Sequence, residues 1–165
     1  SCRNRAMLLT LIDGALRAGE LISVRKDDLS TDGSLVVHGK GAKTRQVALS
    51  EATVTAIDNY LARRSGGSDH LFINDSGSKL GYEAIKSLFH RWKKADPHYF
   101  NNIRLSAHTL RHTSATMWRL DGMSEGDLQT YLGHATSAMT RHYSEAALAR
   151  SANSVARQTS PVAGL

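Results

Sequence analysis

Apolar residues recur at helical spacing along most of the chain and alternate as a strand does at one place only, which restricts the fold to a helical body carrying a small sheet. Met7, Leu8, Leu11 and Ile12 mark a first helix that ends at Gly14, and Leu16, Glu20, Leu21 and Val24 mark a second, short one. The period then changes. Thr31-Asp32-Gly33-Ser34 is a turn signal, Leu35-Val36-Val37 reads as a strand, Gly39-Lys40-Gly41-Ala42-Lys43 as a second turn, and Arg45-Gln46-Val47-Ala48-Leu49 as the returning strand. Ser50 caps a helix whose apolar face is Val54, Ile57, Tyr60 and Leu61, and Ser65-Gly66-Gly67-Ser68 ends it. After a short Leu71-Phe72-Ile73 segment, helices are expected through Ile85, Leu88, Phe89 and Trp92, over 109–121 and over 124–132. Thr136 or Ser137 should cap a further helix leading to Tyr143, followed by an Ala-rich helical stretch over 145–157 and a frayed end. The expected fold class is α+β, mainly helical, with one small antiparallel sheet, in a single domain spanning 1–165.

Charge narrows the partner. The 165 residues carry 21 Lys and Arg against 15 Asp and Glu, a net +6 that favours an anionic partner, with nucleic acid first. No apolar run approaches the roughly 20 residues of a spanning helix, so a soluble cytoplasmic protein is expected. A single cysteine, Cys2, excludes a disulfide framework or a multi-cysteine metal site within one chain. The opening Ser1-Cys2-Arg3-Asn4-Arg5 runs at once into helical pattern without an initiator Met, as a piece of a longer polypeptide would. His90, Arg91, Lys93 and Lys94 close one helix as a charge run. Such a run is ordinarily a solvated face; beside DNA it would contact phosphates.

The patterns that could carry chemistry are Leu16-Arg17-Ala18-Gly19-Glu20-Leu21, Gly39-Lys40-Gly41-Ala42-Lys43-Thr44-Arg45, His108-Thr109-Leu110-Arg111-His112, Leu132-Gly133-His134, and Tyr143 nine positions after His134. Singly each is weak. Arg17 alone reads as a cation at a helix end, Lys40 as a solvated turn residue, and Tyr143 as a half-buried core tyrosine. In order and spacing, however, they resemble the signature of the tyrosine recombinase, or phage integrase, family: an Arg with an acidic residue three positions on, a hairpin Lys, a His-x-x-Arg, a Leu-Gly-His and then a Tyr. The resemblance runs from about Arg5 to about Tyr143. It implies that family's catalytic fold, a three-stranded antiparallel sheet on a helical bundle.

The resemblance also assigns roles that the chemistry makes sense of. A phenol can attack a phosphodiester and later leave again, so Tyr143 would become a 3′-phosphotyrosine that keeps the bond energy. Planar guanidinium forks meet the non-bridging oxygens of the transition state, and Arg17 and Arg111 are the matching pair. Two arginines and a lysine can supply the charge that other phosphoryl-transfer enzymes take from a metal, so no metal and no cofactor are expected. Lys40, between glycines that permit close approach, matches the general acid for the 5′-oxygen. His108 matches the position proposed to take the tyrosine proton, and His134 one that hydrogen-bonds a non-bridging oxygen. Glu20 would orient neighbouring cations, while Lys43, Arg45, Arg91, Lys93 and Lys94 would hold backbone phosphates. By the same resemblance the partner is double-stranded DNA, bound by a homotetramer in the nucleoid, with the isolated chain a monomer.

The chain departs from the family pattern in having Gly14-Ala15-Leu16 for the usual Thr-Gly-Leu, and Gly19 for the usual Ser. The N-terminal domain that completes the family's clamp on DNA is also expected to be missing. Other readings remain open at this point. His108 and His112 sit at a metal-ligand spacing on one helix, but no Glu follows the first His and Arg111 would put a cation beside the metal. His112 reads instead as a packing or substrate-flanking residue and His142 as solvent-facing. His38, His70, His90 and His98 take no role, and Trp92 and Trp118 fit core positions. A type IB topoisomerase would use the same chemistry, distinguishable by whether strands exchange between duplexes. A non-catalytic DNA-binding module would bind DNA without a covalent adduct.

Overall fold

Helix α1, Cys2–Asp13, buries Ala6, Met7, Thr10 and Leu11, the recurring stripe of a one-faced helix, and packs that stripe on α3, Glu51–Leu61. The computed structural model describes residues 1–39, 43–100, 102–134 and 138–158, the side chains of 153 and 155–158 excepted. The join between α1 and α3 is polar and specific. Ser50 caps α3, its Oγ accepting from the Thr53 N–H at 3.4 Å, and the Asp13 carboxylate at the end of α1 accepts from the Ser50 N–H at 2.9 Å, the Ser50 hydroxyl at 2.6 Å and the Thr53 hydroxyl at 2.5 Å. A carboxylate at a helix N-terminus also meets the positive end of the helix dipole.

Between α1 and α2, Ala18–Ser23, the chain reverses through Ala15, which sits in the left-handed region at φ 43. Strands β1, Ser34–His38, and β2, Thr44–Ala48, pair antiparallel with Leu35 opposite Val47 and Val37 opposite Arg45. Leu35, Val37 and Val47 point into the core. The hairpin is closed by the Gly39 N–H donating to the Lys43 carbonyl at 2.7 Å. Among the described residues the sheet has two strands; the third strand that the family resemblance implies is reduced to one bridge, Leu29 to Leu35. The cause is local. Leu29 is boxed between a 3-10 turn over Lys26–Asp28 and the turn that the Ser30 N–H closes on the Ser34 carbonyl, so one residue is left to pair.

Leu71, Phe72 and Ile73 form a buried segment, with Tyr60 stacked on Phe72 at 5.7 Å. Helix α4, Tyr82–Ala95, buries Ile85, Leu88 and Phe89, with Trp92 edge-on to Phe89. A short α5, Pro97–Phe100, leads to α6, Ala107–Leu120. The chain divides into two compact units, Ser1–Arg111 and His112–Leu165, the boundary falling within α6.

The second unit adds α7, Glu125–Leu132, and α8, Ala138–Gln158. Ser124 caps α7 through the Asp127 N–H, and Gly133 ends it in the left-handed region at φ 64, where glycine carries no side-chain penalty. Trp118 packs edge-on to Tyr131 at 4.9 Å. The two expected segments on either side of Tyr143 form one continuous helix, α8. The expected cap at Thr136 or Ser137 and the tail beyond 158 lie outside the described residues. Among the described residues no helix is long and apolar enough to cross a membrane.

Because the Asp13 carboxylate gathers three donors at the α1–α3 join, Asp13→Ala should lower the unfolding free energy by about 2 kcal/mol, with Asp13→Asn recovering part of the loss. Urea denaturation measures this. A loss below about 0.5 kcal/mol would mean that water replaces the carboxylate at no cost.

Candidate active site

In the first unit the site is organised by Glu20. Arg17 is the residue before α2, and the Glu20 carboxylate reaches back to accept from the Arg17 backbone N–H at 2.8 Å, the acceptor half of a capping box. The same carboxylate accepts from Arg17 Nη1 at 2.9 Å, and from Arg45 Nη1 and Nη2, both at 2.9 Å. Arg45 arrives there because it lies two residues from Val47 on the inward face of β2. Its side chain is 9% exposed and that of Glu20 6%, while Arg17 keeps 46% of its side-chain surface open. The buried Arg45 Nε has no hydrogen-bond partner among the described residues.

Arg111, 3% exposed, donates from Nη1 to the Ala15 carbonyl at 2.5 Å. The left-handed turn at Ala15, in the position of the family's usual glycine, is what aims that carbonyl. Arg17, His108 and Arg111 line one cavity of about 500 Å³, together with Lys93 of α4 and the apolar Ile85 and Phe89. The residues it gathers, two guanidiniums and an imidazole over an apolar floor, suit a phosphodiester. Gly19, the family's usual Ser, has a structural counterpart: a Cβ there would stand 2.5 Å from the Tyr82 hydroxyl, and Tyr82 also lines this cavity.

In the second unit His134 and Tyr143 are brought together. Their rings stack at 5.9 Å and 18°, and His134 Nδ1 lies 2.9 Å from the Thr140 hydroxyl. Tyr143 is 5% exposed. The turn of α8 that carries it is held by the Ser144 hydroxyl, which accepts from Arg119 Nε at 3.1 Å and donates to Glu125 at 3.3 Å. Two further histidines surround Tyr143, of which His112 was read from the sequence as a packing or substrate-flanking residue. His112 meets its ring edge-on at 4.9 Å, and His142, exposed as expected, is not idle: its Nε2 lies 3.1 Å from His112 Nε2. The one sequence signal was that His142 adjoins Tyr143.

Other expected residues fall as follows. Lys43, Arg91 and Lys94 are exposed, and of the α4 charge run Lys93 and His90 line the cavity. Arg45, expected to hold DNA phosphates, instead commits both terminal nitrogens to Glu20. Lys40 lies outside the described residues. Among the described residues no group of three or more His, Cys, Asp or Glu could hold a metal ion.

A family model described as the phage integrase family matches residues 1–150. Over 152 residues the chain is 35% identical to tyrosine recombinase XerC of Pelobacter propionicus, covering 90% of this chain and 49% of that protein. Over 145 residues it is 30% identical to tyrosine recombinase XerA of Thermococcus onnurineus, covering 87% of this chain and 51% of that protein. The crystal structure of XerA recombinase is similar at a TM-score of 0.80 and 25% identity, over 98% of this chain and 59% of that one. That of XerH site-specific recombinase bound to palindromic difH substrate, a post-cleavage complex, is similar at 0.79 and 23%, over 94% and 45%. The chain spans about half the length of the curated relatives it matches.

Burial alone would raise the Glu20 pKa, but the hydrogen bonds and charge of Arg45 and the bonds from Arg17 reverse this and lower it from 4.5 to about 2. A depressed carboxylate stabilises the fold above its unfolded pKa and loses that contribution as pH falls through the folded one. The shift corresponds to on the order of 3 kcal/mol, present above pH 4.5 and lost toward pH 2. Glu20→Gln should therefore destabilise the protein at neutral pH and abolish this part of its acid sensitivity. Urea midpoints measured between pH 5 and 2 test it, and parallel curves for the two proteins would contradict it.

Proposed function

The chain belongs to the phage integrase family, and from that premise we propose that it cuts and rejoins DNA strands at specific sites through a 3′-phosphotyrosine on Tyr143. The observation that carries the proposal is that Arg17 lines one cavity with His108 and Arg111, which lie far from it in sequence.

In the proposed reaction the Tyr143 hydroxyl oxygen attacks the scissile phosphorus, and the bond to the 5′-oxygen breaks as the tyrosyl bond forms. His108 takes the phenolic proton. Lys40, by family match, gives a proton to the departing 5′-oxygen. Arg17 and Arg111 bond the non-bridging oxygens as charge develops on them, joined by His134, whose orientation is set by Thr140. Glu20 positions Arg17, and Arg45 acts by holding Glu20. Attack by a 5′-hydroxyl from another strand reverses the step, so no nucleotide is consumed.

The proposed partner is double-stranded DNA, with Lys43, Arg91, Lys93 and Lys94 on its backbone phosphates. The two units together make the catalytic domain, active as a homotetramer on DNA and monomeric when the chain is alone, in the nucleoid of the cytoplasm. Contacts from Lys and Arg to backbone phosphates should make the binding strongly salt-dependent.

A nicked DNA substrate that loses a short strand on cleavage traps the covalent intermediate. The wild-type chain should form an adduct that is absent in Tyr143→Phe, and Arg17→Ala or Arg111→Ala should slow its formation by about 100-fold or more. An adduct that persists in Tyr143→Phe would overturn the assignment.

A further inference from the structure

The least explained cluster in the molecule is the group of imidazoles around Tyr143. His134 belongs to the family pattern; His112 and His142 do not enter the proposed reaction. Yet His112 on α6 and His142 on α8, thirty residues apart, bring their Nε2 atoms to 3.1 Å, with the rings at 74°. At that distance and inclination one ring donates its Nε2–H to the bare Nε2 of the other. His112 at the same time lies edge-on against Tyr143 at 4.9 Å, and His142 stands 6.0 Å from it.

We infer that the His112–His142 pair is a positioning clasp, which sets the rotation of α8 and with it the place of the Tyr143 hydroxyl. The inference rests on reading Tyr143 as the nucleophile. The clasp joins the helix that carries the nucleophile to α6 at the residue next to the nucleophile, where a small rotation matters most. A tyrosine hydroxyl stands about 9 Å from its helix axis, so a turn of about 10° would carry it about 1.5 Å. Misplacement of a reacting group by about 1 Å can cost roughly 100-fold in rate.

The pair adds little to the fold itself. His142 is exposed and His112 half-buried, and α8 is independently tied by Arg119, Ser144 and Glu125 and by the buried Ala147. Loss of the clasp should therefore free the rotation of α8 without unfolding it. His142→Leu keeps bulk and removes the hydrogen bond. His142→Gln keeps an amide that reaches the position of Nε2.

The test is the single-turnover rate of adduct formation at saturating DNA, with DNA affinity and thermal midpoint measured alongside. His142→Leu should slow cleavage by about tenfold or more while affinity and midpoint stay at wild-type values, and His142→Gln should return to within about threefold. An imidazole proton shared between the two rings should appear by NMR in wild type and in Tyr143→Phe, and vanish in His142→Leu. Wild-type rates in His142→Leu, or equal losses in the Leu and Gln variants, would overturn the clasp and leave the nucleophile assignment standing. Absence of the shared proton from the wild-type protein would overturn it as well. A wild-type protein that shows the shared proton but forms no adduct would refute the nucleophile, and the positioning role with it.

Discussion

One buried carboxylate, Glu20, accepts from the backbone that starts α2, from the guanidinium of Arg17 and from both terminal nitrogens of Arg45 on β2. It thereby ties helix to hairpin and holds Arg17 at the same point. Such a buried ionic cluster adds little net stability compared with well-packed apolar residues, but removing one partner leaves an uncompensated charge and is costly. Its use is positional. Two guanidiniums share a single carboxylate, so the cluster keeps a net positive charge while Arg17 stays nearly half open. Arg111 is held by different means, a backbone carbonyl aimed by Ala15 in a left-handed turn that costs an L-residue roughly 1–2 kcal/mol. Strain of this kind persists only where surrounding structure enforces it.

What could be read from the sequence was what local chemistry decides. Ser50 caps its helix as its position suggested, and the alternation around Leu35 and Val47 became the hairpin. Arg17 and Arg111, matched to each other by the order of the motifs, line one cavity. The fate of Arg45 was half legible: its place two residues from Val47 turned it inward, but nothing local pointed to Glu20, twenty-five residues away. The loss of the third strand depended on two turns closing around Leu29. Ala15 gave no signal, since alanine does not mark a left-handed turn. The His112–His142 contact is long-range, and no periodicity predicts it.

The place of Tyr143 late in the chain suggests few anchors. Instead its turn of α8 is pinned by the Arg119–Ser144–Glu125 bonds, and its ring sits among His112, His134 and His142. Tyr143 is buried like a core residue, with three imidazoles around its ring.

The central claim is that Arg111 and Arg17 serve to neutralise charge developing on a phosphate. A methylphosphonate at the scissile position replaces one charged non-bridging oxygen with a methyl group and removes the need for that neutralisation. On ordinary DNA, Arg111→Ala should form the covalent adduct about 100-fold or more slowly than wild type. On the methylphosphonate the deficit should shrink to within about tenfold. An equal deficit on both substrates would contradict the claim and make Arg111 a structural residue.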